Sequence, residues 1–255
     1  MSRISFQILF CLGLIAWVSA KPQASGRIVG GEYSAEGSFP YQVSLRYDGS
    51  HTCGASIISR RYVLSAAHCV GDEDYDGNYF VYPAEHFTIR AGSTDRLLGG
   101  VLTKVTDIVV NENYANFLHD LAVLTLETPL IFSKNIQAIP LASSEVPTGG
   151  SVIISGWGYT ATNAYAPNKL KWNTVQTLSR LSCLTRIGMA SDALLCLGHP
   201  VDNGACFGDS GGPATYQGEL VGVASFVVSG CGSEYPDGYA KVFKHLDWIK
   251  EHSDL

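Results

Sequence analysis

Three residues far apart in the chain, Ser210, His68 and Asp120, have the types and settings that peptide-bond hydrolysis requires. Cutting an amide at neutral pH needs a nucleophile stronger than a serine hydroxyl, a base to activate it, and donors for the oxyanion that develops on the carbonyl. The segment Cys206-Phe207-Gly208-Asp209-Ser210-Gly211-Gly212-Pro213 offers nucleophile and donors together. Glycines around a serine permit a tight turn that exposes the hydroxyl, and the backbone N–H groups of Gly208 and Ser210 can then point at one oxygen. A glycine-rich serine segment alone is more often an ordinary turn, but this one has company. His68 ends a β-like run, Leu64-Ser65-Ala66-Ala67-His68-Cys69, and Asp120 immediately precedes another, Leu121-Ala122-Val123-Leu124. A histidine to take the proton and a carboxylate to orient the histidine complete the set.

The elements that must carry these residues are short and β-rich, separated by Gly, Pro, Asn, Asp and Ser. The runs are Tyr41 to Arg46, Ala55 to Ser59, Tyr62 to Ser65, Phe87 to Ala91, Val105 to Val110, Leu121 to Leu126, Ser151 to Gly156, Glu219 to Ser225 and Gly238 to Val242. Such spacing predicts an all-β sandwich or barrel rather than alternating βα units. Only the tail reads as helix: over 243–252 the apolar residues Phe243, Leu246, Trp248 and Ile249 recur at helical intervals. The 228 residues from Ile28 to Leu255 exceed one ordinary β-barrel, so two barrels are expected, joined near Leu130 to Ile139. The boundaries read as about 28–134 and 135–242.

The N-terminus has the layout of a cleaved export signal over 1–20: an early cation, Arg3, an apolar run from Ile8 to Val18, then Ser19 and Ala20. Eleven apolar residues are too few to cross a bilayer, which takes roughly 20, so a secreted, extracellular protein with no membrane anchor is expected. A polar stretch, 21–27, follows and reads as a propeptide ending at Arg27, before the apolar start Ile28-Val29-Gly30-Gly31. Export implies an oxidising compartment. Cys11 leaves with the signal, and Cys53, Cys69, Cys183, Cys196, Cys206 and Cys231 remain. Six cysteines allow three bridges in any of about 15 pairings.

Residues 1–27 carry Arg3, Lys21, Arg27 and no acid, so 17 cations become 14 against 23 acids, a mature net charge of 14 − 23 = −9. That surface repels phosphate backbones, and no basic patch interleaved with aromatics is present, so a nucleic-acid partner is not expected. No cofactor is expected either. Asp72, Asp74, Asp76 and Gly77 match the first half of a calcium loop, but Pro83 stands where a bidentate glutamate is needed. A solvated acidic loop is the better reading, and no metal site is assigned.

Taken together, the motifs resemble those of the chymotrypsin-like (trypsin-fold) serine proteases, and the likeness runs from Ile28 to about Glu251. The resemblance implies two six-stranded antiparallel Greek-key barrels, a C-terminal helix, and an active site in the crevice between the barrels. It also implies the pairings Cys53 with Cys69, Cys183 with Cys196, and Cys206 with Cys231. Ser210 would attack, His68 would take and return the proton, and Asp120 would hold the imidazole in the right tautomer, as the general description of this very family has it. Ser225 matches the serine that supports the buried aspartate. A cut after Arg27, by a trypsin-like activator, would free the amine of Ile28 to pair with Asp209 and so fix the loop carrying the oxyanion donors.

The same alignment lines the pocket for the residue before the scissile bond (P1) with Gly204, Ala205, Phe207, Ser225, Phe226, Val227 and Asp237. A trypsin would carry an acid at Gly204, and Val227 narrows the slot against a flat ring. This elastase-like lining predicts small aliphatic P1 residues, with large apolar or aromatic residues as the alternative and a basic preference through Asp237 as a third. Asp237 either sits hydrogen-bonded behind the wall or lends the floor negative character. The expected partners are protein or peptide substrates, the activating protease and protein inhibitors, with the enzyme a monomer. A non-catalytic relative acting as a binding module is the rival class, and such proteins usually lack a triad member.

Overall fold

The computed structural model describes residues 28–255. The expected signal at 1–20, the propeptide at 21–27 and Arg27 lie outside the described residues.

Six antiparallel strands close into a first barrel: Gln42–Tyr47, Ser50–Ile57, Tyr62–Ser65, Ala122–Leu126, Val101–Val110 and Phe87–Ala91, neighbours in that order, the last returning to the first. Strand sequence explains the closure. In Phe87-Thr88-Ile89-Arg90-Ala91 the alternate residues Phe87, Ile89 and Ala91 are buried and those between are not, the period-2 signature of a strand with one face on a core. Val43, Leu45, Ile57, Val63 and Leu124 fill the same interior.

The second barrel is built from Lys171–Thr177, Ser151–Gly156, Pro213–Tyr216, Glu219–Phe226, Asp237–Lys241 and Leu194–Gly198, closed where Gln176 and Thr177 pair with Gly198 and Leu197. A two-residue strand, Glu32–Tyr33, adds to its outside against Lys171 and Trp172. The N-terminal segment therefore starts on the second barrel before entering the first. The chain returns at residues 139–142, where Ile139 N donates to Ile57 O of the first barrel and Ala142 N to Leu220 O of the second.

The tail departs from the sequence expectation in one respect. Val242–His245 forms a tighter 3₁₀ turn, and regular helix occupies only Leu246–Glu251. A second helix, Arg180–Ile187, was not expected, since only the tail read as helical. Ser179 caps its N-terminus by accepting from Ser182 N at 3.1 Å, and Gly188, with φ of 71°, ends it in the left-handed region that glycine tolerates.

Cys53 is bonded to Cys69, Cys183 to Cys196, and Cys206 to Cys231. Asp74 turns its carboxylate back onto its own loop, with Oδ1 accepting from Asp76 N at 2.9 Å and Asn78 N at 2.8 Å. The acidic loop is thus an Asx-type turn.

Candidate active site

His68 sits on the 3₁₀ turn Ala67–Cys69 that follows the strand Tyr62–Ser65. The Cys53–Cys69 bridge ties that turn to a neighbouring strand, and Tyr79 OH donates to Ala67 O at 2.7 Å from the other side. Asp120 lies just before the strand Ala122–Leu126 and is fully buried. Strands Tyr62–Ser65 and Ala122–Leu126 are paired, with Ser65 opposite Ala122, so adjacent strand ends deliver the imidazole and the carboxylate to one place.

The carboxylate is fully occupied. Asp120 Oδ2 accepts from His68 Nδ1 at 2.7 Å and from Ser225 Oγ at 2.5 Å, and Oδ1 accepts from His68 backbone N at 3.1 Å. An acceptor facing Nδ1 fixes the proton there and leaves Nε2 with its lone pair outward, the tautomer a general base needs.

Ser210 comes from the second barrel, on the loop before Pro213–Tyr216. Two glycines let the loop approach the first barrel. A Cβ on Gly54 would lie 2.7 Å from Gly212 Cα, and with that space empty Gly54 N donates to Ser210 O at 2.7 Å. His68, Gly208 and Ser210 then face one pocket of about 370 Å³. The Ser210 hydroxyl makes no hydrogen bond among the described residues.

The loop backbone is sorted in a way that matters chemically. The N–H groups of Cys206, Asp209, Gly211 and Gly212 all find acceptors: Asp209 Oδ2, Cys206 O, Ala224 O and Asp209 O. Those of Gly208 and Ser210 donate to nothing among the described residues. An unpaired N–H pair held beside a serine hydroxyl can receive a developing oxyanion without first breaking other bonds. Gly208 reaches its position with φ of 93°.

Two further residues were not singled out from sequence. His51 Nε2 donates to Gly208 O at 3.2 Å while Nδ1 accepts from Ser44 Oγ at 2.8 Å. Burial holds His51 down at about 4, so it is neutral, and that chain steadies the carbonyl next to the free donors. Phe117 sets its ring 5.7 Å from that of His68, edge to face, and walls the pocket. Nothing in a single sequence distinguishes these from ordinary histidines and aromatics.

Of the expected pocket residues, Ala205, Phe207, Ser225, Phe226 and Val227 line the cavity beside Ser210, joined by Gly238 and Tyr239. Gly204 and Asp237 do not. They lie buried behind Ala205, whose N–H donates to Asp237 Oδ2 at 2.7 Å. Gly204 has φ of 106°, and a Cβ there would sit 2.6 Å from Asp237 Oδ2 and 2.6 Å from His199 Nε2. Ile28 and Val29 are buried, and Val29 bridges Gly204. Asp209 is buried too, accepting from Gly158 N at 2.7 Å and Cys206 N at 3.0 Å. Burial pushes its carboxyl up to about 7.

This arrangement recurs in a known group of proteins. The trypsin family's sequence profile matches residues 28–249. The chain belongs to the trypsin family of serine endopeptidases. Its relatives include "Serine protease SP24D" of Anopheles gambiae, 43% identical over 88% of this chain and 80% of that protein. "Trypsin delta" of Drosophila erecta is 37% identical over 89% of each chain. "Vitellin-degrading protease" of Bombyx mori is 33% identical over 96% of this chain and 94% of its own length. As in the rest of the trypsin family, the substrates are proteins, and the fold is the pair of six-stranded barrels with a C-terminal helix.

Proposed function

We propose that this trypsin-family protein is a secreted zymogen whose active form cuts peptide bonds after small aliphatic P1 residues through an acyl-enzyme. The observation that carries the catalytic part is the hydrogen-bonded series Ser225, Asp120, His68 opening onto the pocket that holds Ser210 and the unpaired N–H groups of Gly208 and Ser210. His68 Nε2 takes the hydroxyl proton as Ser210 Oγ bonds to the carbonyl carbon. The oxyanion lies against the two N–H groups. As the carbon–nitrogen bond breaks, His68 gives the proton to the leaving amine. Water then repeats the sequence against the ester and regenerates Ser210.

Residues 1–20 are the signal and 21–27 the propeptide on this reading. Cleavage after Arg27 by a trypsin-like activator gives Ile28 a charged amine to neutralise Asp209. The raised proton affinity of Asp209 supports this, because burial makes its charged form costly at neutral pH and a closer cation would relieve that cost. Pairing fixes the Asp209–Ser210 turn and, through the Val29–Gly204 bridge, the pocket base. The mature chain acts as a monomer open to protein inhibitors.

The small aliphatic preference rests on an apolar pocket with Val227 in its wall and no acid at Gly204. Burying a side chain such as valine there contributes about 1.5 to 3 kcal/mol. Activated enzyme should hydrolyse an Ala-Ala-Pro-Val anilide faster than the Phe or Arg analogue, with the Ser210→Ala variant as blank. Faster cleavage of the Phe substrate would assign the pocket to the aromatic class instead.

A further inference from the structure

The His199 side chain is fully buried, and Asp237 almost so. His199 Nδ1 donates to Pro200 O at 2.9 Å, since a carbonyl can only accept. That fixes the tautomer. In a neutral imidazole Nε2 is then a bare lone pair, and it lies 3.3 Å from Asp237 Oδ2. Asp237 Oδ2 is the charged atom beside it, and Nε2 makes no aligned hydrogen bond to any of the described residues. A lone pair against an anionic oxygen in a dry site repels, so the pair is stabilised by carrying one proton, as imidazolium with carboxylate or as imidazole with carboxylic acid. Either way the pair carries no net charge. The absence of a Cβ at Gly204 is what allows the two groups to meet, and Ala205, Gly238 and Tyr239, which flank Asp237, line the pocket.

We propose that His199 is a specificity-determining positioning residue: by sharing one proton with the buried Asp237 carboxylate, it neutralises that acid behind the P1 pocket and keeps it from selecting basic substrates. This inference rests on the apolar-P1 reading above and adds the residue that enforces it. Both groups hold protons more tightly than usual. Burial disfavours charge on His199 but the Asp237 carboxylate outweighs it, and burial raises Asp237 against the pull of His199 and Ala205 N. The other charged or titratable groups facing the pair are Arg186, which repels a proton on His199, and Asp209 and Tyr239 on the Asp237 side. Lys171 lowers the proton affinity of the neighbouring Asp209.

The test uses enzyme activated with immobilised trypsin and freed of it. The probes are benzamidine, a permanently cationic P1 mimic, and benzyl alcohol, a neutral one that serves as the reference for effects unrelated to ligand charge. At pH 7 the affinity for benzamidine relative to benzyl alcohol should be at least about tenfold higher in His199→Ala than in wild-type enzyme. Equal ratios in the two overturn the inference. His199→Ala should also raise the Arg-to-Val ratio of kcat/KM at least about tenfold, chiefly in KM. Adding Asp237→Asn should cancel that gain. An unchanged ratio in folded His199→Ala, or a gain that survives Asp237→Asn, also overturns it. The wild-type Arg-to-Val ratio alone judges the apolar-P1 reading, so the two failures are separable.

Discussion

Replacing Asp209 with asparagine in the uncleaved precursor should remove a pH dependence of stability that the wild-type precursor carries. Burial lifts this carboxyl from its ordinary 3.8 to about 7. Between those values the folded chain keeps a proton that the unfolded chain has released, so wild-type stability falls as pH rises and is level above about 7. At about 1.36 kcal/mol per pH unit, the loss is roughly 4 kcal/mol. The group is fully enclosed, so solvent screening does not reduce the figure. Asparagine has no such proton to lose. It does have one oxygen where aspartate offers two acceptors, to Gly158 N and Cys206 N, and its amide would meet one of those donors head on. That costs about 1 to 3 kcal/mol at every pH, so the slope carries the information and the offset does not. The assay is urea unfolding by tryptophan fluorescence in a Ser210→Ala background, at steps from pH 4 to 8. The stability of the asparagine variant relative to wild type should rise by several kcal/mol across that range. A difference that stays constant within about 0.5 kcal/mol would refute the argument that burial raises the Asp209 carboxyl before cleavage.

Ser225→Ala removes a 2.5 Å hydrogen bond to a buried carboxylate, worth about 1.5 to 3 kcal/mol, so kcat should fall roughly 10- to 150-fold with KM little changed. Val227→Gly should widen the slot and shift the Phe-to-Val ratio of kcat/KM upward by about tenfold, read with paired anilide substrates. Installing the acid of a trypsin by Gly204→Asp should not create arginine cleavage, because φ of 106° and the 2.6 Å approaches to Asp237 and His199 leave no room. Robust hydrolysis of an arginine anilide by that variant would count against the packing described.

The parts of the site that sequence disclosed are those whose residue types announce a role. Ser210 stands among glycines, and His68 and Asp120 end or begin apolar runs, so local pattern sufficed to nominate them. What pattern could not supply is whatever depends on partners distant in sequence. His51 is 157 residues from the Gly208 carbonyl it holds, and nothing around it marks it out. Asp237 was visible as a pocket residue, yet whether it faces the cavity depends on His199 reaching it past Gly204. Among the elements, the helix Arg180–Ile187 escaped because its polar, exposed face hides a weak apolar stripe, with only Cys183 buried. Its Ser179 cap and Gly188 stop were the available signals. The strands Lys171–Thr177 and Leu194–Gly198 also went unassigned, and they close the second barrel on each other.

Each of the three disulfides stays within its own half of the molecule: Cys53–Cys69 before the crossing at 139–142, and Cys183–Cys196 and Cys206–Cys231 after it. A single break in the connection between Glu127 and Gly150, for instance at the exposed Ile131, would therefore leave two polypeptides with no covalent tie among the described residues. Because His68 and Asp120 would travel with one fragment and Ser210 with the other, detergent electrophoresis without reductant would resolve a nicked molecule into two bands, neither able to work alone. Ageing of the enzyme can thus be followed as the disappearance of a single unreduced band.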